Sequence, residues 1–580
     1  MVYFVNNSAD FIAALEGTDN NTNVVLTGSF TTTATAQISD GKTVTLASDS
    51  GGPHTVTSSV DTIKITNGML EIGYGVELKN TSLWSMSAVL LFQGPLAKGK
   101  IMGGLFEANT PLRVLQGATI TQISDGDFIG TESAVFVEGN NSKIDLISDG
   151  LFRKTDASID RSAVYLDNNA QIMEISGGTF ETNRNSCLLL IRGGFIHKIS
   201  GGTFTSQGSG TRAIHVWADG VANTGIDLIS GGHFKGDDIA IWLYGDYPQI
   251  TATVNQITGG TIEAVRGLHV DIGSSVGKIS GGKFIGPLAG IYCVSKIGSI
   301  DGDPQISGIV LDHVGVYYGQ IGSINGGTII SELTAHSGIT NLGIIDEITG
   351  GTIVGLVSAI NSSAGKIGKI TSGVFLGETD VAIKLGSPTL IEPGLNTDPG
   401  NGRYWGKDGV IFNDESLAIY PQDYFMSTTT LPVPPYGEFK YLTKGGTPPE
   451  PKPGCIQIIA QKVSTGALMP EGKFEFGIFD ENNDLVVSSK NRHKSCHAKI
   501  VFPEICYKDS GVFKYKVREI TASDECWKTD KREYNIIVTV TKDANGDLII
   551  KVEYPDGQPK FENQYCPPKK CCCCNCCCCC

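Results

Sequence analysis

Apolar residues recur along residues 101–375 in short runs that flank glycine turns. One phrase combines an isoleucine, a small or polar residue, a Gly-Gly or Asp-Gly pair, and a second apolar run. Its copies begin at Ile101, Ile123, Ile147, Ile175, Ile199, Ile229, Ile257, Ile279, Ile300, Ile324, Ile348 and Ile370. Successive copies lie 21 to 30 residues apart. Recurrence at this period predicts a repeat architecture, in which each unit buries its apolar face against its neighbours.

A second phrase follows most copies of the first. It has a small residue at its first position and Val, Leu or Ile at its second. It begins at Ala134, Ala163, Cys187, Ala213, Ala240, Gly267, Gly290, Gly315, Gly338, Ala359 and Ala382. No helical periodicity separates the phrases, so the pattern predicts stacked coils of parallel strands, a parallel β-helix, with glycines at corners that need positive φ.

Residues 1–425 resemble the right-handed parallel β-helices of the pectate-lyase-like group in period and pattern. The opening, FVNNSADFIAALEG, looks like the N-terminal cap of such domains, with a short helix from Ser8 to Leu15 over the first coil. An open solenoid end exposes unpaired strand edges, so a cap is physically required. We therefore assign residues 1–100 to the cap and first coils, and 101–426 to the β-helix repeats.

The third position of the second phrase is rich in rings. Because the second position is aliphatic and should face the core, strand alternation predicts that the third faces outward. Its residues are Phe136, Tyr165, Leu189, His215, Trp242, His269, Tyr292 and Tyr317. The seven ring-bearing residues are glycan-binding candidates, since apolar ring faces can stack on sugars. The alternative is that the rings stack on one another and stabilise the sheet.

Acidic residues follow the same strands. Glu138 and Asp167 share a phase on successive coils, and Arg192 follows them. Asp219, Asp246 and Asp271 lie nearby. Solvated turns, a cation site and catalysis are the three interpretations. Glycoside hydrolysis needs paired carboxylates, and lyases need a basic residue and usually a metal held by carboxylates. No Asp-Asp pair followed by Gly-His-Gly occurs, so a lyase or hydrolase is the alternative rather than the favoured function.

Charge and composition change near residue 450. The chain carries a net charge of −15. Up to residue 450 there are 26 basic against 43 acidic residues, and beyond it 19 against 17. The acidic balance argues against a nucleic-acid partner. The change coincides with a Pro-rich stretch at 427–454, which predicts a stiff linker to a second domain.

Residues 455–566 alternate apolar and polar positions in short strands, typical of an Ig-like β-sandwich. Lys462 lies on the first strand, Glu519 on a middle strand and Asn563 on the last. The phrases QKVSTG, YKVRE and FENQY resemble the Gram-positive pilin isopeptide-linkage domain, of the same kind as collagen-adhesin B-type repeats. That resemblance implies that Lys462 attacks the Asn563 carboxamide while Glu519 moves protons. A buried apolar pocket would lower the lysine pKa and raise that of the acid.

Cysteines are concentrated at the C-terminus. Cys455, Cys496, Cys506, Cys526 and Cys566 are not expected of the pilin family, and the sequence cannot pair them. The tail, residues 567–580, adds Cys571, Cys572, Cys573, Cys574, Cys576, Cys577, Cys578, Cys579 and Cys580. Adjacent cysteines lack the spacing of a compact zinc site. Intermolecular disulfide cross-linking, acylation or another surface anchor, and soft-metal binding are the three interpretations.

The favoured function is that of a non-enzymatic surface or coat protein, adhesin-like, apart from autocatalytic isopeptide formation. No cofactor motif is present, and we expect no metal site and no transmembrane segment. The opening MVYFVNNSADF lacks the charged and apolar regions of a secretory signal. We therefore expect a cell-surface or spore-surface location reached by a removed signal or another route, with glycan or a surface as partner.

Overall fold

The computed structural model describes residues 1–566, apart from 157–160, 221, 247–250, 315–316, 332–335, 392–401, 407–409, 422–423, 427–430, 433–437, 440–441, 445–454, 492–495, 508–509 and 543–547. Of residues 402–403, 424–425, 431–432, 438–439, 442–444 and 542 it describes the backbone only. The chain forms two compact units. One comprises residues 1–392 and 412–419, and the other holds the remaining described residues. No helix in the described part of the chain is long and apolar enough to cross a bilayer.

The first unit is a parallel β-solenoid of about 16 turns over residues 2–391, which confirms the β-helix prediction. Each regular coil contributes one strand to each of three columns, and strands of successive coils pair in parallel. The first coils, which mix the first two columns, contain Val2–Val5, Asn21–Leu26, Ala36–Ile38, Thr43–Ser48, Ile63–Ile72 and Leu90–Ile101.

The first of the three columns carries the second sequence phrase, and we call it the outer-ladder column. Its strands are Leu112–Leu115, Val135–Glu138, Val164–Asp167, Ser186–Ile191, Arg212–Ala218, Ile239–Gly245, Arg266–Val270, Ala289–Cys293, Ile309–Leu311, Ile339–Asn341, Ile360–Ser362 and Ile383–Leu385.

The second column ends at the isoleucine of the glycine phrase. Its strands are Thr119–Ile123, Lys143–Ile147, Gln171–Ile175, Phe195–Ile199, Thr224–Ile229, Ala252–Ile257, Ser274–Ile279, Lys296–Ile300, Gln320–Ile324, Ile344–Ile348, Lys366–Ile370, Thr389–Ile391 and Ala418–Ile419.

The third column begins after the glycine turn. Its strands are Phe30–Thr32, His54–Ser58, Val76–Asn80, Leu105–Ala108, Asp127–Gly130, Leu151–Lys154, Thr179–Thr182, Thr203–Ser206, His233–Lys235, Thr261–Glu263, Lys283–Ile285, Gln305–Ile306, Thr328–Ser331, Thr352–Gly355 and Gly373–Gly377. The remaining strands are His313–Val314, Tyr317–Tyr318, Gly402–Trp405, Tyr424–Met426, Leu431–Pro432, Glu438–Phe439 and Leu442–Lys444, and a 3₁₀ turn lies at Glu415–Leu417.

The two glycines of the repeated phrase are required for different reasons. The second glycine has positive φ, as at Gly178 (+94°), which L-residues with a side chain rarely adopt. The first lies against the coil below. A Cβ at Gly177 would sit 2.1 Å from the carbonyl oxygen of Ser148. The second glycine therefore permits the sharp turn of the corner, and the first permits the close spacing of successive coils.

Stacked phenylalanines fill the interior behind these corners. They follow the glycine pair, and each is fully buried. Ring centroids of successive coils are 4.5 to 5.1 Å apart. The stack runs through Phe106, Phe128, Phe152, Phe180, Phe204 and Phe234. Isoleucine or phenylalanine continues the same inward position beyond it, so one apolar ladder spans the coils.

A helix at Ser8–Glu16 covers the first coil and ends one residue beyond the range expected from the sequence. The Asn7 side chain accepts a hydrogen bond from the Asp10 backbone N–H and so caps the first turn. Phe11 and Leu15 lie on the inner face of the helix and are fully buried, and the Phe11 ring contacts that of Phe30 edge-on. The cap thereby shields apolar side chains that an open coil would expose.

The second unit contains a two-sheet β-sandwich, and the all-β fold class is confirmed. One sheet has the order His497–Val501, Ile459–Thr465, Lys560–Tyr565 and Trp527–Lys528. The other has Leu485–Lys490, Glu475–Phe479, Gly511–Glu519, Glu533–Lys542 and Leu548–Glu553. Cys455–Ile456 and Ile505–Cys506 form a further pair. Apolar residues from both sheets share one core.

We expect Gly201→Ala to lower the thermal unfolding midpoint of the solenoid strongly. The new Cβ would lie 2.2 Å from the Ser176 carbonyl oxygen on the neighbouring coil, so the coils would have to separate. Gly210→Ala is the matched control, because Gly210 has positive φ but no atom would lie within 4 Å of an added Cβ. It should cost only the backbone penalty of about 1–2 kcal/mol. Equal losses in the two variants would contradict the inter-coil contact.

Candidate functional site

Strand alternation directs three polar residues into the sandwich core. On Ile459–Thr465 the buried positions are Ile459, Ala460, Lys462 and Ser464, while Gln461 is exposed. Glu519 continues the inward phase of Tyr515 and Val517. Asn563 follows the inward Phe561 two residues along. Lys462, Glu519 and Asn563 thus occupy inward-facing strand positions, where the alternation otherwise places apolar side chains.

The three side chains meet at one carboxylate. Lys462 Nζ donates to Glu519 Oε2 at 2.8 Å, and Asn563 Nδ2 donates to Glu519 Oε1 at 2.7 Å. The Lys462 and Glu519 side chains have no solvent exposure. The strands of Lys462 and Asn563 are parallel neighbours, with Ser464 opposite Asn563. The sandwich therefore brings together all three residues that the sequence singled out.

Burial governs the protonation of the lysine. Loss of solvation lowers the pKa of Lys462, and the charge and hydrogen bond of Glu519 oppose that shift without cancelling it. The Phe474 and Phe476 rings lie 5.4 and 5.2 Å from the Lys462 nitrogen and supply the apolar wall. A lowered pKa favours the neutral amine, which is the nucleophilic form.

Asp530 joins this cluster and carried no signal in the sequence. Its backbone N–H donates to Asn563 Oδ1 at 2.8 Å and approaches Glu519 Oε2 at 3.2 Å. Its carboxylate accepts from the Glu562 backbone N–H and from the Arg532 guanidinium. Burial opposes ionisation of Asp530, but these hydrogen bonds lower its pKa overall. The side chain thus anchors the segment so that its amide faces the asparagine carbonyl.

The cluster contains each kind of group that an amide exchange requires. An amine whose pKa is lowered by burial, a carboxylate that accepts hydrogen bonds from both nitrogens, and a backbone donor on the carboxamide oxygen are all present. A buried ion pair gives weak evidence of stabilisation, because desolvation offsets its Coulomb energy. The cluster therefore contains the groups that amide exchange between Lys462 and Asn563 would use.

A disulfide joins Cys455 to Cys506 in the same unit. The two residues face each other across the antiparallel pair Cys455–Ile456 and Ile505–Cys506. Cys496 is disulfide-bonded as well, whereas Cys526 and Cys566 are free thiols. The tail cysteines Cys571 to Cys580, and residues 427–430, 433–437, 440–441 and 445–454 of the Pro-rich stretch, lie outside the described residues.

The rings predicted on the outer face of the solenoid form an in-register ladder from Phe136 to Tyr292. Phe136 pairs with Tyr165, His215 with Trp242, and His269 with Tyr292. Leu189 occupies the same ladder between Tyr165 and His215. The ladder is more buried than an outward position implies, since His215 is only 7% exposed.

Neighbouring rings and arginines account for this burial. The His215 and Trp242 rings stack with centroids 4.4 Å apart and planes 11° apart. The Arg212 guanidinium lies 4.1 Å from the Trp242 ring centre, and Arg266 lies 5.2 Å from that of Tyr292. Ring faces in this part of the ladder meet other side chains rather than solvent. This geometry favours ring-on-ring stabilisation over sugar stacking on the ring faces.

Tyr317 does not belong to the ladder, and its placement by sequence phrase was wrong. Val310, on Ile309–Leu311, is the residue opposite Tyr292. Tyr317 lies instead in an antiparallel pair with Val314, outside the coil. The Gly319 N–H donates to the Asp312 carbonyl and closes this excursion. The phrase Gly-Val-Tyr-Tyr imitates the coil motif, but only strand pairing reveals which segment continues the stack.

The acidic residues near the ladder are mostly engaged with their neighbours. Glu138 and Asp167 are directly opposed, as expected. Asp167 binds the Arg192 guanidinium through both oxygens. Asp246 accepts from the Trp217 indole and Asp271 from that of Trp242. Within the described residues, the one group with ion-holding spacing is Cys455, Glu504 and Cys506, two of which form a disulfide.

Comparison with known proteins supports the sandwich assignment. Residues 458–566 match the FctA family model, the Spy0128-like isopeptide containing domain. The match covers Lys462, Glu519 and Asn563 but less than half of the chain. No curated protein matches the sequence. The isopeptide-domain resemblance inferred from local phrases is confirmed.

The buried imidazole of His215 predicts acid sensitivity of the solenoid. Desolvation, with a smaller effect of Arg212, lowers its pKa from 6.5 to about 3. Between these values the unfolded chain binds a proton that the folded chain does not. Stability attributable to His215 should therefore fall as pH decreases, by about 1.4 kcal/mol per pH unit. Thermal midpoints of the solenoid between pH 6.5 and 4.5 measure this fall, and His215→Phe should reduce it.

His233→Phe is the matched control, because the His233 side chain is 44% exposed on a different column. It should retain the pH dependence of the unsubstituted protein. An unchanged pH dependence in His215→Phe would show that the buried imidazole does not contribute.

Proposed function

We propose that this protein is a non-enzymatic surface or coat component, of adhesin type, in which an isopeptide-locked sandwich supports a β-solenoid. The supporting observation is the buried Lys462–Glu519–Asn563 cluster, within a segment that matches an isopeptide-containing domain. Domains of that kind are typically found on extracellular surfaces. The cluster links the first and last long strands of the sandwich.

The proposed bond joins Lys462 Nζ to the side-chain carbon of Asn563. Glu519 accepts a proton from the lysine through Oε2, the neutral amine attacks the carboxamide, and the carbonyl oxygen gains negative charge. Glu519 then gives that proton to Nδ2 through Oε1, the bond from the side-chain carbon to Nδ2 breaks, and ammonia leaves. The attached lysine nitrogen passes its second proton to Glu519, so the carboxyl group ends neutral beside the new amide. Nucleophile and leaving group already hydrogen-bond the two oxygens of one carboxylate, so the proton needs no solvent route.

The Asp530 amide supplies the remaining electrostatic requirement. Its N–H already contacts Asn563 Oδ1, where negative charge develops as the amine adds. One preorganised donor of this type contributes about 100- to 1,000-fold to rate in enzymes. The Arg532 and Glu562 contacts keep Asp530 in place before the bond forms.

The bond would change how the sandwich responds to force. The strands of Lys462 and Asn563 are adjacent and parallel, so tension applied at opposite ends would shear their ladder. A covalent link across it carries the load before the hydrogen bonds separate. This mechanical role suits a stalk domain, with the cysteine tail Cys571–Cys580 as an anchor or a site of disulfide cross-linking between molecules.

The solenoid would be the displayed part, with glycan as the candidate ligand. The glycan-binding candidates Phe136, Tyr165, His215, Trp242, His269 and Tyr292 share one outer ladder, and Tyr317 lies in the adjacent hairpin. Because the ring faces are largely occupied, contact with a sugar would use ring edges and flanking polar groups. A polysaccharide lyase or hydrolase of β-helix fold is the alternative.

Intact mass of the reduced full chain tests the isopeptide bond. The wild type should be about 17 Da lighter than its sequence, the mass of one ammonia. Glu519→Ala, Lys462→Ala and Asn563→Ala should each retain the full mass. Glu533→Ala is the matched control, because this glutamate forms exposed ion pairs on the neighbouring strand. It should still lose ammonia, and a wild type of unchanged mass would refute the proposal.

The same measurement made over time isolates Asp530. Full-length chain from cell-free synthesis, quenched at intervals, should cross-link at least about tenfold more slowly in Asp530→Ala, because its amide donor is no longer held. Asp530→Asn should restore most of the rate. Asp524→Ala controls for loosening of this region, because Asp524 accepts from the amides of Cys526 and Trp527 away from the cluster. Equal rates in Asp530→Ala and wild type would exclude the role.

A reducing-end assay on a polysaccharide panel distinguishes display from degradation. The proposed function predicts no release of reducing ends, together with retention on at least one immobilised polysaccharide that weakens in Trp242→Ala. Release that disappears in Asp246→Asn or Asp271→Asn would establish the enzymatic alternative. The double variant Asp237→Asn/Asp238→Asn, altered at a turn away from these indoles, serves as the control.

A further inference from the structure

The two free cysteines of the sandwich lie opposite each other on neighbouring strands. Trp527 faces Tyr565, and Lys528 faces Gln564, in an antiparallel ladder. Cys526 and Cys566 are the next opposed residues, and the Cys566 N–H donates to the Cys526 carbonyl at 2.7 Å. Directly opposed residues of an antiparallel pair have Cα atoms about 4.5–5.5 Å apart. That separation falls within the range of disulfides, about 4.4–6.8 Å.

We propose that Cys526 and Cys566 are an oxidation site that forms a second cross-strand disulfide. Cys455 and Cys506 already form a disulfide between directly opposed residues of an antiparallel pair in this domain. The pairing of Cys526 with Cys566 repeats that placement at the end of the last strand. The inference does not depend on the isopeptide bond, because it rests on the ladder and on the two thiols.

Both backbone positions are fixed before any bond forms. The Asp524 carboxylate accepts from the N–H groups of Cys526 and Trp527, and its other oxygen pairs with Lys473 at 2.6 Å. The Trp527 and Tyr565 rings contact each other edge-on at 5.2 Å. Oxidation therefore needs rotation of side chains rather than movement of strands.

The two thiols differ in exposure, which assigns their order of reaction. Cys566 is exposed and Cys526 is half-buried. With a low-molecular-weight disulfide as oxidant, the Cys566 thiolate attacks and releases one thiol, giving a mixed disulfide. The Cys526 thiolate then attacks the Cys566 sulfur and releases the second thiol. Two protein thiols are oxidised and one small disulfide is reduced to two thiols.

The new bond would secure the segment that carries the candidate site. It would close the chain between residues 526 and 566, which includes Asp530 and Asn563. Cys566 follows Asn563 by three residues on the same strand end. Tension entering from the C-terminal side would therefore reach the Cys526 strand directly, before it reached Asn563.

Non-reduced peptide mapping of the full chain after treatment with oxidised glutathione tests the proposal. Trypsin should yield a disulfide-linked pair of peptides 519–528 and 561–569. A third peptide, containing Lys462, joins them only if the isopeptide bond is present, so the two cross-links are scored separately. Cys187 and Cys293 are internal references, because burial raises the pKa of both thiols and they should react with alkylating agents only after denaturation.

Cys526→Ser should leave Cys566 open to alkylation or in a mixed disulfide, and Cys566→Ser should leave Cys526 reduced. The thermal midpoint of the oxidised sandwich should exceed that of the reduced one by more in the wild type than in Cys526→Ser. Two outcomes overturn the proposal. Both thiols remain open to alkylation after treatment, or Cys566 links to a tail cysteine or a second chain while Cys526 stays free.

Discussion

The solenoid depends on parallel strands of successive coils remaining in register at their corners. Each coil buries its apolar ladder only if the next lies at strand-pairing distance, about 4.8 Å away. The Gly-Gly corner permits this approach, because a side chain at Gly177 would displace the coil below through the Ser148 carbonyl. Interior phenylalanines and outer rings then stack because the backbone places them in line. The glycines therefore control the packing, although they contribute no apolar surface themselves.

The sandwich differs from the solenoid because its core contains ionisable side chains as well as apolar ones. Lys462 and Glu519 are removed from solvent at a desolvation cost that a salt bridge alone offsets poorly. Asn563 donates to the same carboxylate and accepts from the Asp530 amide, so Lys462 and Asn563 are both held at Glu519. Burial of Lys462 and Glu519 therefore has two effects. It costs solvation free energy, and it favours the neutral amine that the proposed reaction needs.

Sequence patterns predicted the features that repeat along the chain. Isoleucine–glycine spacing predicted the coil, and the resemblance of three local phrases to a pilin isopeptide-linkage domain singled out Lys462, Glu519 and Asn563. Features that depend on contact across unrelated segments were not predictable in this way. The Asp530 contribution comes from a backbone N–H, which every non-proline residue has, and its partner is 33 residues away. Tyr317 shows the reverse error, where a local phrase imitates the repeat without pairing in it.

The sequence by itself determined that this protein stacks coils of strands, that a sandwich carrying Lys462, Glu519 and Asn563 on three of its strands follows them, and that its cysteines concentrate from residue 455 onward. These properties follow from local period and composition, because the backbone geometry of a strand or a corner fixes which sequence positions share a face. Tertiary structure decided that the outer rings turn their faces to one another, that Asp530 holds the Asn563 carbonyl, and that Cys526 meets Cys566. Each of these depends on which distant strands become neighbours. Strand register brings together side chains whose separation along the chain follows no regular spacing.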